Sequence, residues 1–280
     1  MPPPDSKSLA LRVGLYAFFY GVTLLILSHL LLTLGGYLLS GAGGTFLAAV
    51  TTNVLTLRIY ERRSLADIGL RWNGDSLRNL LWGFGAGAGT AVLVLGGALA
   101  AGLAQWEPSS QAQLSPGGII FVLTMLLTGS AGEEICFRGY ATQLLMRAVG
   151  PFSAIFPVGM VFALLHGSNP HSTYAAILNT AGFGILFGYA FLRSHDVWLP
   201  IGLHFGWNAL LPLFGANVSG FTMRLTGYEM RWTAGPLWSG GDYGPEASLM
   251  TSGALVMLFL FLWKAPVRRQ IAPLMEGVLE

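Results

Sequence analysis

Charge is what this 280-residue chain has least of. Asp, Glu, Lys and Arg make up 10% of it, against 53% apolar residues, where a soluble globular domain carries about 25% charge. The charges that remain are clustered, with long charge-free runs between them, which is the pattern of membrane spans rather than of one large soluble core. A net charge of +2 excludes a nucleic-acid partner held by electrostatics. A single cysteine, Cys136, excludes an intrachain disulfide and any zinc site built on several thiolates. HExxH is missing, so the chain is no ordinary zincin, and no Ser or Cys sits beside a base as a nucleophile would. No cleavable signal peptide, internal repeat or separate soluble domain is evident.

What is present reads as an all-α, polytopic membrane helix bundle of about eight transmembrane helices, with residues 1–280 forming one integral membrane domain. The spans fall at roughly 9–35, 42–59, 79–104, 117–147, 152–167, 173–192, 197–214 and 248–264, most of them meeting the ~17–25 residues that a bilayer helix needs. The basic residues supply an orientation. With the N-terminus in the cytoplasm, the inside segments hold Lys7, Arg12, Arg58, Arg62, Arg63, Arg71, Arg78, Arg138, Arg147, Arg193, Lys264, Arg268 and Arg269. That is 13 of the 15 basic residues, leaving Arg224 and Arg231 outside. The positive-inside rule then puts both termini in the cytoplasm. Residues 60–78 read as a cytoplasmic loop along the interface, with Leu65, Ile68, Leu70 and Trp72 dipping into headgroups. Residues 215–247 read as an outside loop able to cap the bundle, without chemistry of its own.

Glycine is abundant, at 38 residues. Gly83, Gly85, Gly87 and Gly89 form overlapping small-xxx-small patterns. They lack the lysine of a nucleotide-binding loop and open a span, so close helix packing is their reading.

Ionisable side chains inside a span cost ~2.5–3.5 kcal/mol each on insertion scales and mark function. They concentrate in three places. In Glu133-Glu134-Ile135-Cys136-Phe137-Arg138, Glu134 and Arg138 are four apart on one helix face and suit an ion pair. Glu133 points ~100° away, without that partner. His166 lies ~22 Å into its helix and Glu133 ~21 Å into the antiparallel one, which matches their depths. His204 and Asn208 share a face one turn apart. Carboxylates, imidazoles and an amide can bind a divalent metal such as zinc, with Glu133, His166 and His204 as the ligand set. They can equally activate water directly, with Glu as base and His or Asn on the oxyanion. Both routes attack an amide carbonyl, and a cavity open to the cytoplasm or inner leaflet is expected. Cys136 reads as a small packed hydrophobe. His29 is expected to bond a neighbouring helix, and His171 and His195 to lie at solvent-reached span ends.

The three motifs, EExxxR at Glu133–Arg138, FxxxH at Phe162–His166 and HxxxN at His204–Asn208, resemble in order and separation those of the CAAX protease and bacteriocin-processing family, also called the ABI family. The resemblance covers about residues 60–210, with the SLADIGL stretch at its start. It implies an intramembrane endopeptidase of the type that includes the type II CAAX prenyl endopeptidases. Its substrate would be a membrane-anchored peptide or a lipidated protein C-terminus. Carried over, Glu133 activates water with His166 as catalytic partner; Glu134, His204 and Asn208 complete the site, and Arg138 holds Glu134. The family is usually described as metallopeptidases. Two other readings stand beside this one: a non-catalytic membrane scaffold or bacteriocin-immunity-type protein of the same fold, and a transporter with an intramembrane proton relay. The scaffold has no need of an unpaired buried carboxylate. The transporter calls for repeats and broken helices in matching halves.

Overall fold

The computed structural model describes residues 5–109, 114–223 and 225–276. The chain is mostly helical: α1 (Ser6–Thr56), α2 (Gly74–Ala100), α3 (Pro116–Arg138), α4 (Tyr140–Val149), α5 (Pro151–His166), α6 (Tyr174–Ser194), α7 (Trp198–Leu213), the one-turn α8 (Pro236–Ser239) and α9 (Leu249–Lys264). Five of the long helices start on a capping side chain. Asp5, Asn73, Ser115, Thr173 and Ser248 accept hydrogen bonds from the first free N–H groups of α1, α2, α3, α6 and α9, and Pro116 occupies the first turn of α3, where its missing donor costs nothing.

Four stretches are long and apolar enough to cross a membrane: Ser6–Glu61, Gly74–Ala100, Pro116–Val149 and Tyr174–Ser194. The first is bent back on itself. Gly35 and Gly36 leave helical geometry, Gly36 at φ 76°, and Ser40 donates to the Ser28 carbonyl at 2.8 Å. Its arms, 6–34 and 37–56, therefore run antiparallel, as the two expected spans do. The 117–147 segment breaks at Gly139 into α3 and α4. Asn53 of α1 caps the break, donating to the Ile135 carbonyl at 3.2 Å and accepting from the Tyr140 N–H at 2.8 Å. A Cβ on Gly139 would stand 2.3 Å from the Asn53 amide oxygen. Tyr16 donates to the Cys136 carbonyl at 2.8 Å, so the first arm of α1 is also pinned to the motif-bearing end of α3.

The core runs in two clusters, one centred on α2, α6, α7 and α9, the other on α1, α3, α4 and the stretch after α9. The α2–α7 contact explains the glycine pattern. A Cβ on Gly83 would meet the Leu199 carbonyl oxygen at 2.3 Å, and one on Gly87 the Leu203 oxygen at 2.1 Å. Gly202 and Gly206 of α7 face Leu80 and Phe84 just as closely, while Gly85 and Gly89 have nothing within 4 Å. Only glycine lets the two backbones touch along this line.

The structure departs from the sequence-based picture in several places. A two-stranded antiparallel sheet, β1 (Ala104–Pro108) with β2 (Tyr228–Trp232), sits at one end of the otherwise helical bundle. In the 60–78 stretch Ile68 is fully buried in protein rather than in headgroups, while Trp72 is exposed. His29 is exposed on α1 rather than bonded to a neighbouring helix. His195 is buried, its ring 3.1 Å from the Arg269 guanidinium. Arg138, placed with the cytoplasmic charges, is an interior residue and drops out of the topology tally. Arg224 lies outside the described residues.

Candidate active site

Three helices bring the three motifs together. α3 carries Glu133, Glu134 and Arg138, α5 ends on His166, and α7 carries His204 and Asn208. α3 is set against α1 by Gly132, where a Cβ would stand 2.6 Å from the Phe46 nitrogen. α7 is set by its glycine contact with α2.

The two adjacent glutamates face different partners, as their ~100° separation on a helix requires. Glu134 has no exposed side-chain surface and Arg138 1%. The Arg138 Nε lies 3.1 Å from Glu134 Oε2, and Arg138 also donates to the Gly184 carbonyl at 2.8 Å. The guanidinium stands over the faces of Phe137, Phe162 and Phe187 at 5.9, 5.4 and 5.5 Å, which compensates a cation removed from water. The other Glu134 oxygen, Oε1, lies 2.9 Å from Nδ1 of His204. The expected Glu134–Arg138 pair is thus present, and it extends to His204.

Glu133 faces the other way. Its Oε2 is 3.7 Å from His166 Nε2 and 3.9 Å from His204 Nε2, is buried, and has no hydrogen-bond partner. Both rings present Nδ1 to an acceptor: His166 to the Phe162 carbonyl at 2.8 Å, His204 to Glu134. Each Nδ1 therefore carries a hydrogen, and a neutral ring turns its Nε2 lone pair toward Glu133. Three acceptors converging on one point need something between them that supplies hydrogens or positive charge.

The ring orientation suits metal ligands, and the spacing is slightly wider than that of an ideal tetrahedral zinc site. Tetrahedral zinc with bonds of ~2.0–2.1 Å holds its donors ~3.3 Å apart, closer than 3.7 and 3.9 Å. Among the described residues no group of three or more His, Cys, Asp or Glu side chains is arranged to hold a metal ion. Glu133, His166 and His204 thus present three acceptors that a water molecule or a divalent metal could meet.

Glu133, His166, His204 and Asn208 all line one cleft of about 550 Å³. Leu38 and Gly41 near the α1 bend, Met125 and Leu126 of α3, and residues 218–223 form its upper walls. The cleft is thus walled by both arms of α1, by α3 and by Val218, Ser219, Phe221 and Met223.

The loop between α7 and α9 also contributes a polar residue that sequence reasoning missed. Glu246 is buried beside the cleft and lines a smaller pocket with His166, His204 and Asn208. It accepts from Ser219 Oγ at 3.1 Å, from Trp207 Nε1 at 3.4 Å and from the Ser219 backbone N–H. Burial pushes its carboxyl above the ordinary range, opposed by these donors and by His166. The loop is rich in Gly and Pro, and nothing local to Glu246 marks it; a carboxylate just ahead of the Ser248 cap is the only signal in the sequence.

A bundle of apolar helices enclosing carboxylates, imidazoles and an amide is an integral membrane protein with a built polar site. A family profile described as Type II CAAX prenyl endopeptidase Rce1-like matches residues 115–210, which bears out the resemblance read from the three motifs. The match spans α3 to α7 and so includes every residue of those motifs. It supports a protease of the CAAX type. A search of curated proteins finds no match to the chain.

Proposed function

We propose that this chain is an intramembrane endopeptidase, hydrolysing a peptide bond of a membrane-anchored or lipidated, CAAX-like polypeptide with water activated by Glu133. The observation that carries this is the buried Glu133 Oε2, without a hydrogen-bond partner and facing two imidazole nitrogens at 3.7 and 3.9 Å. The family match at 115–210 supports peptide-bond cleavage beside a prenyl group as the substrate class.

In this reading water sits between Glu133, His166 and His204. Its oxygen attacks the scissile carbonyl carbon while Glu133 takes the proton. The oxyanion that forms is met by the Asn208 amide N–H groups, while Glu134 holds the His204 ring through Nδ1. Glu133 then passes its proton to the leaving nitrogen as the C–N bond breaks. His166, its Nδ1–H held by the Phe162 carbonyl, orients the water through Nε2. Arg138 fixes Glu134 and takes no direct part.

The membrane topology belongs to the same reading. A single domain crosses eight times, by the two arms of α1 and by α2, α3, α5, α6, α7 and α9, with both termini in the cytoplasm. Glu133→Gln keeps the side chain's shape and removes the base, so cleavage of a membrane-anchored reporter should vanish while the detergent melting temperature holds. Wild-type cleavage by Glu133→Gln would refute the mechanism. Loss of cleavage with a chelator, restored by zinc, would replace direct water activation with metal assistance.

A further inference from the structure

Glu246 is a buried carboxylate whose hydrogen bonds are not all accounted for by the protein. The Ser219 backbone N–H donates to its Oε2, and Trp207 Nε1 and Ser219 Oγ donate to its Oε1 at 3.4 and 3.1 Å. An amide and an indole N–H can only donate, so both carboxyl oxygens are held as acceptors. A carboxylate has about four acceptor sites, and three are filled. Beside the fourth lies the pocket of about 20 Å³ that Glu246 shares with His166, Thr180, His204, Asn208 and Ser219.

That pocket has room for one water, which needs about 10–15 Å³ of such space and two to four polar partners. Phe162, Phe183 and Phe187 close its apolar sides. Both imidazoles are committed elsewhere, through Nδ1 to the Phe162 carbonyl and to Glu134, and through Nε2 toward Glu133. Asn208 is not committed: among the described residues none hydrogen-bonds its side-chain amide, which borders both this pocket and the cleft. The two ends of an amide are nearly equal in size, so packing does not choose between them. One orientation turns the NH2 group to the cleft. The other turns the carbonyl oxygen there, where it would repel an oxyanion.

We propose that Glu246 is a positioning residue that sets the Asn208 amide through one water held in this pocket. The water donates one hydrogen to the remaining acceptor site of Glu246 and the other to the Asn208 amide oxygen. The Thr180 hydroxyl is its third partner. Because a carboxylate only accepts, it fixes which way the water's hydrogens point. The NH2 end of Asn208 is then left facing the cleft, where the scissile carbonyl becomes an oxyanion. This deepens the endopeptidase reading and rests on it for the oxyanion.

A double-mutant cycle separates this role from simple support of the neighbouring loop. Asn208→Ala removes an oxyanion donor and should lower kcat by about 100–1000-fold. Glu246→Gln keeps the side chain's shape but replaces an acceptor by a donor, and should lower kcat of the folded protein about tenfold. In the Asn208→Ala background the same change should leave kcat within about twofold, because the group it orients is gone. An equal factor in both backgrounds, or no loss in either, would overturn the proposal. A high-resolution structure of the unsubstituted protein reads the water directly, whether or not the variants fold. One ordered water within hydrogen-bond reach of Glu246 and Asn208 is expected, and a dry pocket would overturn the link. If the unsubstituted protein cleaves no membrane-anchored reporter, the endopeptidase reading falls and that structure alone decides whether Glu246 holds Asn208.

Discussion

Nδ1 of His204 lies 2.9 Å from Glu134 Oε1, and the same carboxylate meets Arg138 through its second oxygen at 3.1 Å. The adjacent glutamates thereby separate into one that faces the cleft and one that holds an imidazole in a defined tautomer and angle. Carboxylate–histidine pairs of this kind typically govern activity by about 10–100-fold without touching substrate. Glu134→Gln should lower kcat by about that factor with the fold intact. Arg138→Ala strands a carboxylate inside the bundle at a cost of about 3–5 kcal/mol, so folded yield and the melting temperature in detergent should fall. A stable Arg138→Ala protein would count against the pair as the anchor of the site.

The α2–α7 seam offers a matched pair of substitutions. Gly87→Ala drives a methyl into the Leu203 carbonyl, 2.1 Å away, whereas Gly89→Ala points into open space. Overpacking costs about 1–3 kcal/mol, and the displaced α7 carries His204 and Asn208 with it. Gly87→Ala should lose both thermal stability and cleavage, and Gly89→Ala neither. Equal behaviour of the two would mean that the backbone approach does not position the site.

Glu246 holds the roof. Removing it leaves the Ser219 N–H and the Trp207 indole N–H without their acceptor, at about 1–3 kcal/mol for each buried group. Glu246→Ala should lower the melting temperature and raise KM, because residues 218–219 wall the cleft. Glu107→Ala, which breaks an exposed pair with Arg231, is the control and should change stability by less than about 1 kcal/mol. Matching behaviour of the two variants would remove Glu246 from the site.

His195 and Asp196 at the α6–α7 junction oppose each other in pH. Burial, aided by the Arg269 guanidinium, pushes the His195 imidazole down from 6.5 to about 4. Burial pushes the Asp196 carboxyl up from 3.8 to about 7, against donation from Trp198, Asn79 and Gln270. Between about pH 4 and 6.5 the unfolded chain binds a histidine proton that the native state refuses, so this group makes stability rise with pH. From 3.8 to about 7 the native state keeps a carboxyl proton that the unfolded chain releases, so Asp196 makes stability fall with pH. The wild-type melting temperature should stay nearly level from pH 4 to 6.5. His195→Gln should expose a steady decline up to pH 7, measured in detergent. A variant curve parallel to the wild type would show that His195 does not titrate as its surroundings require.

Hydrophobicity was enough to read a helical membrane protein, because a bilayer demands long apolar runs whatever their neighbours do, and four stretches are long and apolar enough to cross. The bend of α1 at Gly35 and Gly36 divides one long stretch into two antiparallel arms at the two expected spans. The division of labour between Glu133 and Glu134 was legible too, since 100° per residue sends adjacent side chains to different partners and i,i+4 spacing names Arg138. Glycine spacing marked a contact but not its mate: only the packed α2 and α7 show that Gly83 and Gly87 touch backbone while Gly85 and Gly89 touch nothing. Local sequence has no reach across the 39 residues between Trp207 and Glu246, so a carboxylate delivered from a Gly- and Pro-rich loop carried no periodic signal. Nor could depth along single helices say which walls enclose the cleft: Glu133, His166, His204 and Asn208 share it with α1 and with Val218, Ser219, Phe221 and Met223, a property of the assembled helices and of no one of them.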